Sequence, residues 1–179
     1  SSSAAYEVLV GTMLNYLYND GKVDPVTIAK IAQYAENEYF GKPCGLMDQM
    51  ACSVGSFITI DFKDPSEPVI EKVDFDFASC GHSLCIVDTK GSHSNLTDEY
   101  AAIRIEMESV AAQFSKKVLR EVDEKEFFAK IPELREAVGD RAVLRAIHFY
   151  KDNERVLREV DALKKNDFEK FKQLVIESG

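Results

Sequence analysis

The sequence has no tryptophan, only three histidines and no long uninterrupted apolar run. Without about 20 consecutive apolar residues, a membrane-spanning helix is not expected. The histidines stand near no serine or cysteine in a nucleophile motif, which disfavours a Ser–His or Cys–His hydrolase. Basic residues are also scarce, because 22 Lys and Arg face 31 Asp and Glu, for a net charge of −9. This balance argues against a nucleic-acid binder and against a polybasic membrane-surface protein.

Cysteine is sparse, and its spacing excludes the common structural zinc motifs. The four cysteines are Cys44, Cys52, Cys80 and Cys85, and they form no paired CxxC motif. Cys80, His82 and Cys85 could offer three metal ligands, but no matching fourth ligand stands nearby in sequence. Zinc is therefore disfavoured against free thiols in a reducing compartment, and we expect a cytoplasmic protein without disulfides.

The rest of the composition is an ordinary globular mixture. Of the 179 residues, 45% are hydrophobic and 30% are charged. A chain of this length can bury a sizeable core in one domain or at most two. The glycines form neither GxGxxG nor GxxxxGK[ST], so the residues support neither a Rossmann nor a P-loop phosphate site.

Hydrophobic spacing predicts two helices at the start of the chain. The first covers residues 4–18, with a buried stripe expected at Tyr6, Leu9, Met13 and Leu17. Asp24 and Pro25 supply an N-cap and a first-turn proline for a second helix that runs to about residue 39. The buried side of this second helix is expected to hold Ile28, Ile31, Ala32 and Ala35.

After a loop at residues 40–45, the pattern changes first to strands and then back to helices. Strands are predicted at residues 57–62, 69–75 and 83–88. Helices are predicted over residues 97–118, 124–138 and 140–164. Asn166 with Glu169 resembles a capping box that opens a last helix. The fold class is therefore α+β, with a short sheet, many helices and a boundary near residues 90–95.

A serine run and an isolated aspartate are the first two candidates for chemistry. Ser1, Ser2 and Ser3 open directly into a helix, whose free N–H groups suit a phosphate and whose hydroxyls could bind its magnesium ion. Plain capping, or the remainder of an expression tag, would also explain them. Asp48 follows a glycine-containing turn, where it could orient or deprotonate a hydroxyl, bind a metal or cap the next helix.

Two further positions have weaker signals. Glu36 and Glu38 lie near the end of the second predicted helix, where carboxylates oppose the helix dipole. That placement suggests a cation partner, although solvated surface charge would explain it too. Tyr100 lies on the apolar stripe of its helix, so core packing is its expected role.

Taken in order, these segments resemble the GHMP small-molecule kinases, and among them the galactokinases. Ser-Ser-Ser-Ala-Ala-Tyr-Glu-Val-Leu at residues 1–9 is similar to the end of the second signature motif of that family. Pro-Cys-Gly-Leu-Met-Asp-Gln at residues 43–49 is similar to the galactokinase segment Pro-Cys-Gly-Ile-Met-Asp-Gln. Residues 99–100, 153–157 and 176–178 continue the likeness, which is collinear over the whole chain.

The resemblance implies the two-domain GHMP fold and ATP-dependent phosphorylation of galactose at its 1-hydroxyl. Residues 1–92 would be the latter part of the N-terminal, ribosomal-S5-like α/β domain that binds ATP. Residues 93–179 would be the helix-rich first part of the C-terminal domain. The implied ligands are galactose, ATP and Mg²⁺, with no nucleic-acid or membrane partner.

The same resemblance assigns roles to individual residues. Asp48 matches the catalytic aspartate, and Gly45, Asp48 and Tyr100 match positions that contact the sugar. The phosphate-binding loop matches Ser1, Ser2 and Ser3. Ser2 and Glu36 match the magnesium ligands, with Ser1 or Ser3 as the alternative coordinating serine.

Three departures from the family pattern qualify these assignments. The Arg-containing first motif and the glycine-rich third motif are absent from the sequence, so we expect the middle part of a longer enzyme, inactive by itself. Ile103 and Arg104 stand where galactokinases commonly carry an arginine pair, which leaves the sugar open. A non-catalytic sugar and ATP sensor, or a GHMP kinase for a different sugar, is the alternative. The oligomeric state is not readable from the sequence.

Overall fold

The computed structural model describes residues 2–64, 66–88, 90 and 96–179, except for the side chain of Thr97. Within these residues, helices dominate and one small antiparallel sheet is present, which confirms the α+β class. The helices are α1 (Ser2–Asn19), α2 (Pro25–Tyr34), α3 (Met47–Val54), α4 (Thr97–Ala112), α5 (Glu124–Ala129), α6 (Ile131–Val138), α7 (Asp140–Lys164) and α8 (Phe168–Ser178). The strands are β1 (Phe57–Asp61) and β2 (Val69–Val73).

The chain divides into two compact units. The first ends at Phe75 and the second begins at Asp76. The expected family domains, residues 1–92 and 93–179, stay a prediction, because residues 91–95 lie outside the described part of the chain. Among the described helices, none combines the length and the apolar character that crossing a membrane requires.

Helix α1 packs through its small side chains rather than through its large ones. Ala4 and Val8 are buried, and Val8 forms a small core with Ile28 and Ala32 of α2. A Cβ atom added at Gly11 would lie 3.3 Å from Ile28, so the two helices approach closely there. The predicted stripe is therefore on the wrong face, with exposures of 53% to 69% for Tyr6, Leu9, Met13 and Leu17.

Helix α2 begins as predicted but ends differently. The Asp24 carboxylate accepts a hydrogen bond from the Thr27 N–H at 3.0 Å and caps the helix. The regular helix stops at Tyr34, and residues Ala35–Tyr39 form a π-helix instead of a further α-turn. Ile31 is 53% exposed, so its predicted burial is wrong.

The sheet of the first unit covers one side of a second apolar cluster. β1 and β2 pair antiparallel, with Phe57 opposite Val73 and Asp61 opposite Val69. The cluster joins helices to sheet and consists of Ala29, Leu46 and Met50, with Val26, Val54, Ile58, Ile60, Phe62 and Ile70 packed against them. Helix α3 is thereby fixed between α2 and the sheet.

The third predicted strand does not form. Residues 83–88 have no regular secondary structure, and Leu84, Ile86 and Val87 are at least 80% exposed. A strand is stable only when a neighbour satisfies its N–H and C=O groups, and within the described residues none pairs with this segment.

The described part of the second unit is helical and contains a large apolar core. The core lies among α4, α5, α6 and α7 and consists of Val110, Ala111, Leu119, Val122, Phe127, Leu134, Ala142, Val143, Ala146 and Tyr150. The Tyr150 hydroxyl donates to the carbonyls of Leu119 and Val122, at 3.2 and 3.4 Å, and burial raises its pKa to about 12. This buried hydroxyl ties the α4–α5 connection to the longest helix.

Helix boundaries in the second unit differ from the sequence pattern at three places. The helix predicted over residues 97–118 ends earlier, because α4 stops at Ala112. The single helix predicted over residues 124–138 is split at Lys130, where α5 ends and α6 begins with Pro132 in its first turn. The predicted capping box at Asn166 is also wrong, because Asn166 has a positive φ of 55°. Asp167 caps α8 instead, and its carboxylate accepts from the Lys170 N–H at 3.0 Å.

Candidate functional site

A cavity of about 180 Å³ lies between the π-helix and the start of α3. Three residues selected from the sequence, Glu36, Gly45 and Asp48, line it together. Its other lining residues are Lys42, Cys44, Met47 and Gln49. The cavity belongs entirely to the first unit, so its geometry rests on that unit alone.

Asp48 stands in the first turn of α3 and is half-buried. The N-cap position belongs to Leu46, so the alternative in which Asp48 caps the helix is wrong. A carboxylate in the first turn of a helix lies near the unpaired N–H groups and the positive end of the helix dipole. Asp48 is thus placed to present a carboxylate to the cavity.

Glu36 owes its orientation to the π-helix. The Phe40 N–H donates to the Ala35 carbonyl at 3.1 Å, five residues back, and the Lys42 N–H donates to the Glu36 carbonyl at 2.9 Å. This wider turn leaves Glu36 only 4% exposed. Its neighbour Glu38 remains exposed, which agrees with a solvated surface charge.

Ser3 and Lys42 are two of the partners that keep the buried Glu36 carboxylate ionised. The Ser3 hydroxyl donates a hydrogen bond to it, and the Lys42 ammonium lies 3.2 Å from it. The Ser3 hydrogen bond, with the smaller effect of Lys42, holds the pKa of Glu36 below its ordinary value against the opposing effect of burial. The site therefore contains a buried carboxylate anion facing a serine hydroxyl.

Glu7 is a further acidic residue at this place that the motif reading missed. Burial, and then the charge of Glu36, raise the pKa of Glu7 above its ordinary value, and the two carboxyl groups share a hydrogen bond. Its Oε2 atom is buried with no hydrogen-bond partner. Glu7 is four residues after Ser3 on α1, and this spacing places both on one face of the helix. That spacing is the sequence signal that could have identified it.

These side chains fit a magnesium ion. Mg²⁺ prefers oxygen ligands and is usually held by one or two carboxylates, with waters and substrate phosphates completing its shell. Ser3 and Glu36 offer a hydroxyl and a carboxylate, and the unpaired oxygen of Glu7 lies beside them. Among the described residues no group of three or more His, Cys, Asp or Glu is placed to hold a metal. A site here would depend on ligands from the nucleotide.

The serine that contacts Glu36 is Ser3, one of the alternatives left open by the motif. Ser2 is exposed at the first position of α1, and its assignment as the metal ligand stays a prediction. Ser1 lies outside the described residues. The roles of all three in phosphate binding also stay predictions.

Tyr100 belongs to the second unit, in the first turn of α4. It is 57% exposed, so the core-packing role expected from its position on the helical stripe is wrong. Its predicted contact with the sugar stays a prediction.

Part of the chain is similar to a known protein family. Residues 1–56 match the family described as GHMP kinases N terminal domain. The matched stretch contains Ser3, Glu36, Gly45 and Asp48, so the cavity lies within the stretch that matches this family.

Similarity to individual proteins extends over both units. A galactokinase of Actinobacillus pleuropneumoniae serotype 5b (strain L20) is 35% identical over 175 residues, which cover 98% of this chain and 44% of that protein. A galactokinase of Streptomyces coelicolor is 34% identical over 182 residues, 99% of this chain and 45% of that protein. A galactokinase of Thermotoga petrophila is 34% identical over 178 residues, 99% of this chain and 48% of that protein. The chain thus spans a little under half the length of these curated relatives.

Proposed function

We propose that this chain is part of a galactokinase, an enzyme that transfers the γ-phosphoryl group of ATP to the 1-hydroxyl of galactose. The observation that carries the proposal is the shared cavity of Glu36 and Asp48, within the stretch that matches the GHMP kinases. The galactokinase relatives, which align with nearly the whole chain, support galactose as the acceptor.

Phosphoryl transfer depends chiefly on alignment of the reactants and on neutralisation of charge. Asp48 would accept or orient the proton of the sugar hydroxyl, and Gly45 would let the sugar approach the backbone closely. The N–H groups at the start of α1, from Ser2 and Ser3, would bind the nucleotide phosphates. Tyr100 would supply a further sugar contact from the second unit.

Ser3 and Glu36 would hold the magnesium ion of the nucleotide, and we prefer Ser3 to Ser2 because it already contacts the carboxylate. When bound, the ion would neutralise charge on the phosphates. Glu36 is suited to this role because it is buried and ionised before any metal arrives.

A cytoplasmic location belongs to the same proposal, since ATP is the phosphoryl donor and the described cysteines are all unpaired thiols. The net charge of −9 favours small-molecule substrates over nucleic acid as partners.

The test is a product assay on the protein encoded by the complete reading frame that contains these 179 residues. ADP release is measured with MgATP and galactose, glucose or no sugar, and the sugar product is identified by NMR. We expect ADP release that depends on galactose and yields galactose 1-phosphate. Binding of both ligands without ADP release would support the sensor, and turnover only with another sugar would support a different GHMP kinase. The 179-residue chain alone is expected to be inactive.

A further inference from the structure

Three amide side chains from three successive elements contact Cys44, two of them at its backbone and one at its sulfur. The Cys44 N–H donates to Asn37 Oδ1 at 2.8 Å, and Asn37 Nδ2 donates back to the Cys44 carbonyl at 3.4 Å. Gln33 of α2 donates to the same carbonyl at 3.3 Å. Gln49 of α3 approaches the Cys44 sulfur at 3.6 Å through Nε2. Asn37 is the central member, because among these three it alone pairs with both backbone groups of Cys44.

This contact fixes the segment that leads to the proposed catalytic aspartate. Residues 41–45 have no regular secondary structure, and Gly41 has a positive φ of 66°. Such a segment lacks a ladder of backbone hydrogen bonds, so side chains must satisfy its polar groups. Gly45 follows Cys44 directly, and Asp48 comes one turn later in α3.

The π-helix links this segment to the carboxylate that is proposed to bind the metal. Glu36 and Asn37 are adjacent in it, and they contact different parts of the site: Glu36 contacts Ser3 and Lys42, whereas Asn37 contacts Cys44. π-helical turns are rare and occur frequently at functional sites. One turn of backbone therefore sets both the Glu36 carboxylate and the segment before Asp48.

The first unit contains a matched example of the same contact away from the cavity. Asn15 Nδ2 donates to the Val23 carbonyl at 2.9 Å, and the Val23 N–H donates to Asn15 Oδ1 at 3.1 Å. Neither Asn15 nor Val23 lines the cavity. The Asn15 pair fixes the connection between α1 and α2, and it offers an internal control for the loss of this kind of contact.

We propose that Asn37 is a positioning residue for the sugar: it holds the Cys44 backbone so that Gly45 and Asp48 meet the acceptor hydroxyl in reactive alignment. This inference rests on the proposed kinase function. Asn37 itself touches no reacting atom. A displacement of about 1 Å in a group that aligns reactants can lower the rate about 100-fold. Loss of the Asn37 contact should therefore affect the use of the sugar more than the use of ATP.

The experiment compares Asn37→Leu, Asn37→Asp and Asn15→Leu in the full-length protein. Asn37→Leu removes both hydrogen bonds to Cys44, while Asn37→Asp keeps the acceptor of the 2.8 Å bond. For Asn37→Leu we expect kcat/KM for galactose to fall about 10- to 100-fold with a raised KM for galactose, and the KM for ATP to change less than about twofold. Asn37→Asp should recover part of the loss, and Asn15→Leu should lower stability without changing either KM.

Hydrogen exchange at the Cys44 amide, measured without substrates, gives a readout that does not depend on turnover. Asn37→Leu should lose protection at this amide, whereas Asn15→Leu should retain it. The proposal is overturned if Asn37→Leu keeps its protection, if its KM for galactose is unchanged, or if Asn15→Leu raises that KM equally. If the wild-type protein phosphorylates no sugar, the proposed function fails, and the exchange result alone decides whether Asn37 holds the segment.

Discussion

The two units of the chain use buried side chains in different ways. Every buried polar or charged residue of the described chain lies in the first unit: Asn15, Glu36 and Gln49. The core of the second unit is apolar apart from the Tyr150 hydroxyl, which has two carbonyl acceptors. Burying a polar group is unfavourable unless it is hydrogen-bonded, so such groups concentrate where a fold must position chemistry.

We therefore expect the second unit to contribute mainly to stability and the cavity of the first unit to contribute mainly to function. The second unit gains its stability from one continuous helical core. The first unit has two small apolar clusters, and between its helices it places an ionised carboxylate and a π-helix. Changes in the second core should therefore affect unfolding, and changes near the cavity should affect ligand binding and rate.

The largest change in stability is expected for Phe127→Ala. Phe127 is fully buried at the centre of the second core, and removing an aromatic ring from such a site usually lowers the free energy of unfolding by about 3–5 kcal/mol. Denaturant unfolding of the chain, followed by circular dichroism, measures the loss. The adjacent Phe128, 38% exposed, is the matched control, and Phe128→Ala should cost much less. Equal losses for the two variants would contradict a single core centred on Phe127.

A smaller effect, on binding rather than on folding, is expected for Glu36→Gln in the full-length protein. Losing this carboxylate should lower the affinity for Mg²⁺ by at least about tenfold, so that more Mg²⁺ is needed for half-maximal activity. Even residues that contact a metal only through another ligand contribute to metal affinity on that scale. The measurement is the activation of turnover by Mg²⁺ at saturating ATP, together with Mn²⁺ binding by electron paramagnetic resonance. Lys42→Met is the control, and this variant should bind the metal more tightly. The Lys42 ammonium of the wild-type protein lies 3.2 Å from the Glu36 carboxylate, where it would compete with the metal. Weaker metal binding in Lys42→Met would contradict this geometry.

The smallest effect is expected for Glu7→Gln. Because the pKa of Glu7 is raised above 4.5 in the folded chain, the wild-type protein loses stability as the pH rises from that value through the raised pKa. The amide introduced by Glu7→Gln would keep a donor for Glu36 without this loss. We expect a gain in the free energy of unfolding at pH 7 of up to about 1 kcal/mol, and a flatter pH profile. Glu38→Gln replaces an exposed carboxyl group, and it should change neither the free energy of unfolding at pH 7 nor the pH profile. A Glu7→Gln variant less stable than wild type at pH 7 would contradict the raised pKa of Glu7.

Local sequence signals predicted part of the fold correctly. The Asp24 cap, the two paired strands and helix α7 follow from capping chemistry, alternation and helical periodicity, all of which act over a few residues. The buried face of α1 was predicted wrongly, because close packing at Gly11 selects the small side chains. The strand predicted at residues 83–88 fails for a related reason, since pairing depends on a partner strand.

The candidate site, like the fold, was predicted only in part from the sequence. Motif resemblance selected Glu36, Gly45 and Asp48, and the structure brings these three to one cavity. The motif resemblance did not select Asn37 or Glu7, because the contacts of these two residues depend on the π-helix and on the packing of α1. A π-helix has no strong sequence signal, because it differs from an α-helix by a single hydrogen-bond register.

The most direct test of the central claim is the rate of Asp48→Asn in the full-length protein. The variant keeps the size of the side chain but removes the carboxylate that is proposed to accept or orient the proton of the sugar hydroxyl. We expect kcat with galactose to fall about 10²- to 10⁴-fold, while ATP affinity, measured by calorimetry, stays within about twofold of wild type. Asp20→Asn, at an exposed aspartate outside the cavity, should retain full activity. If Asp48→Asn turns over galactose at the wild-type rate, the cavity of Glu36 and Asp48 is not the catalytic site.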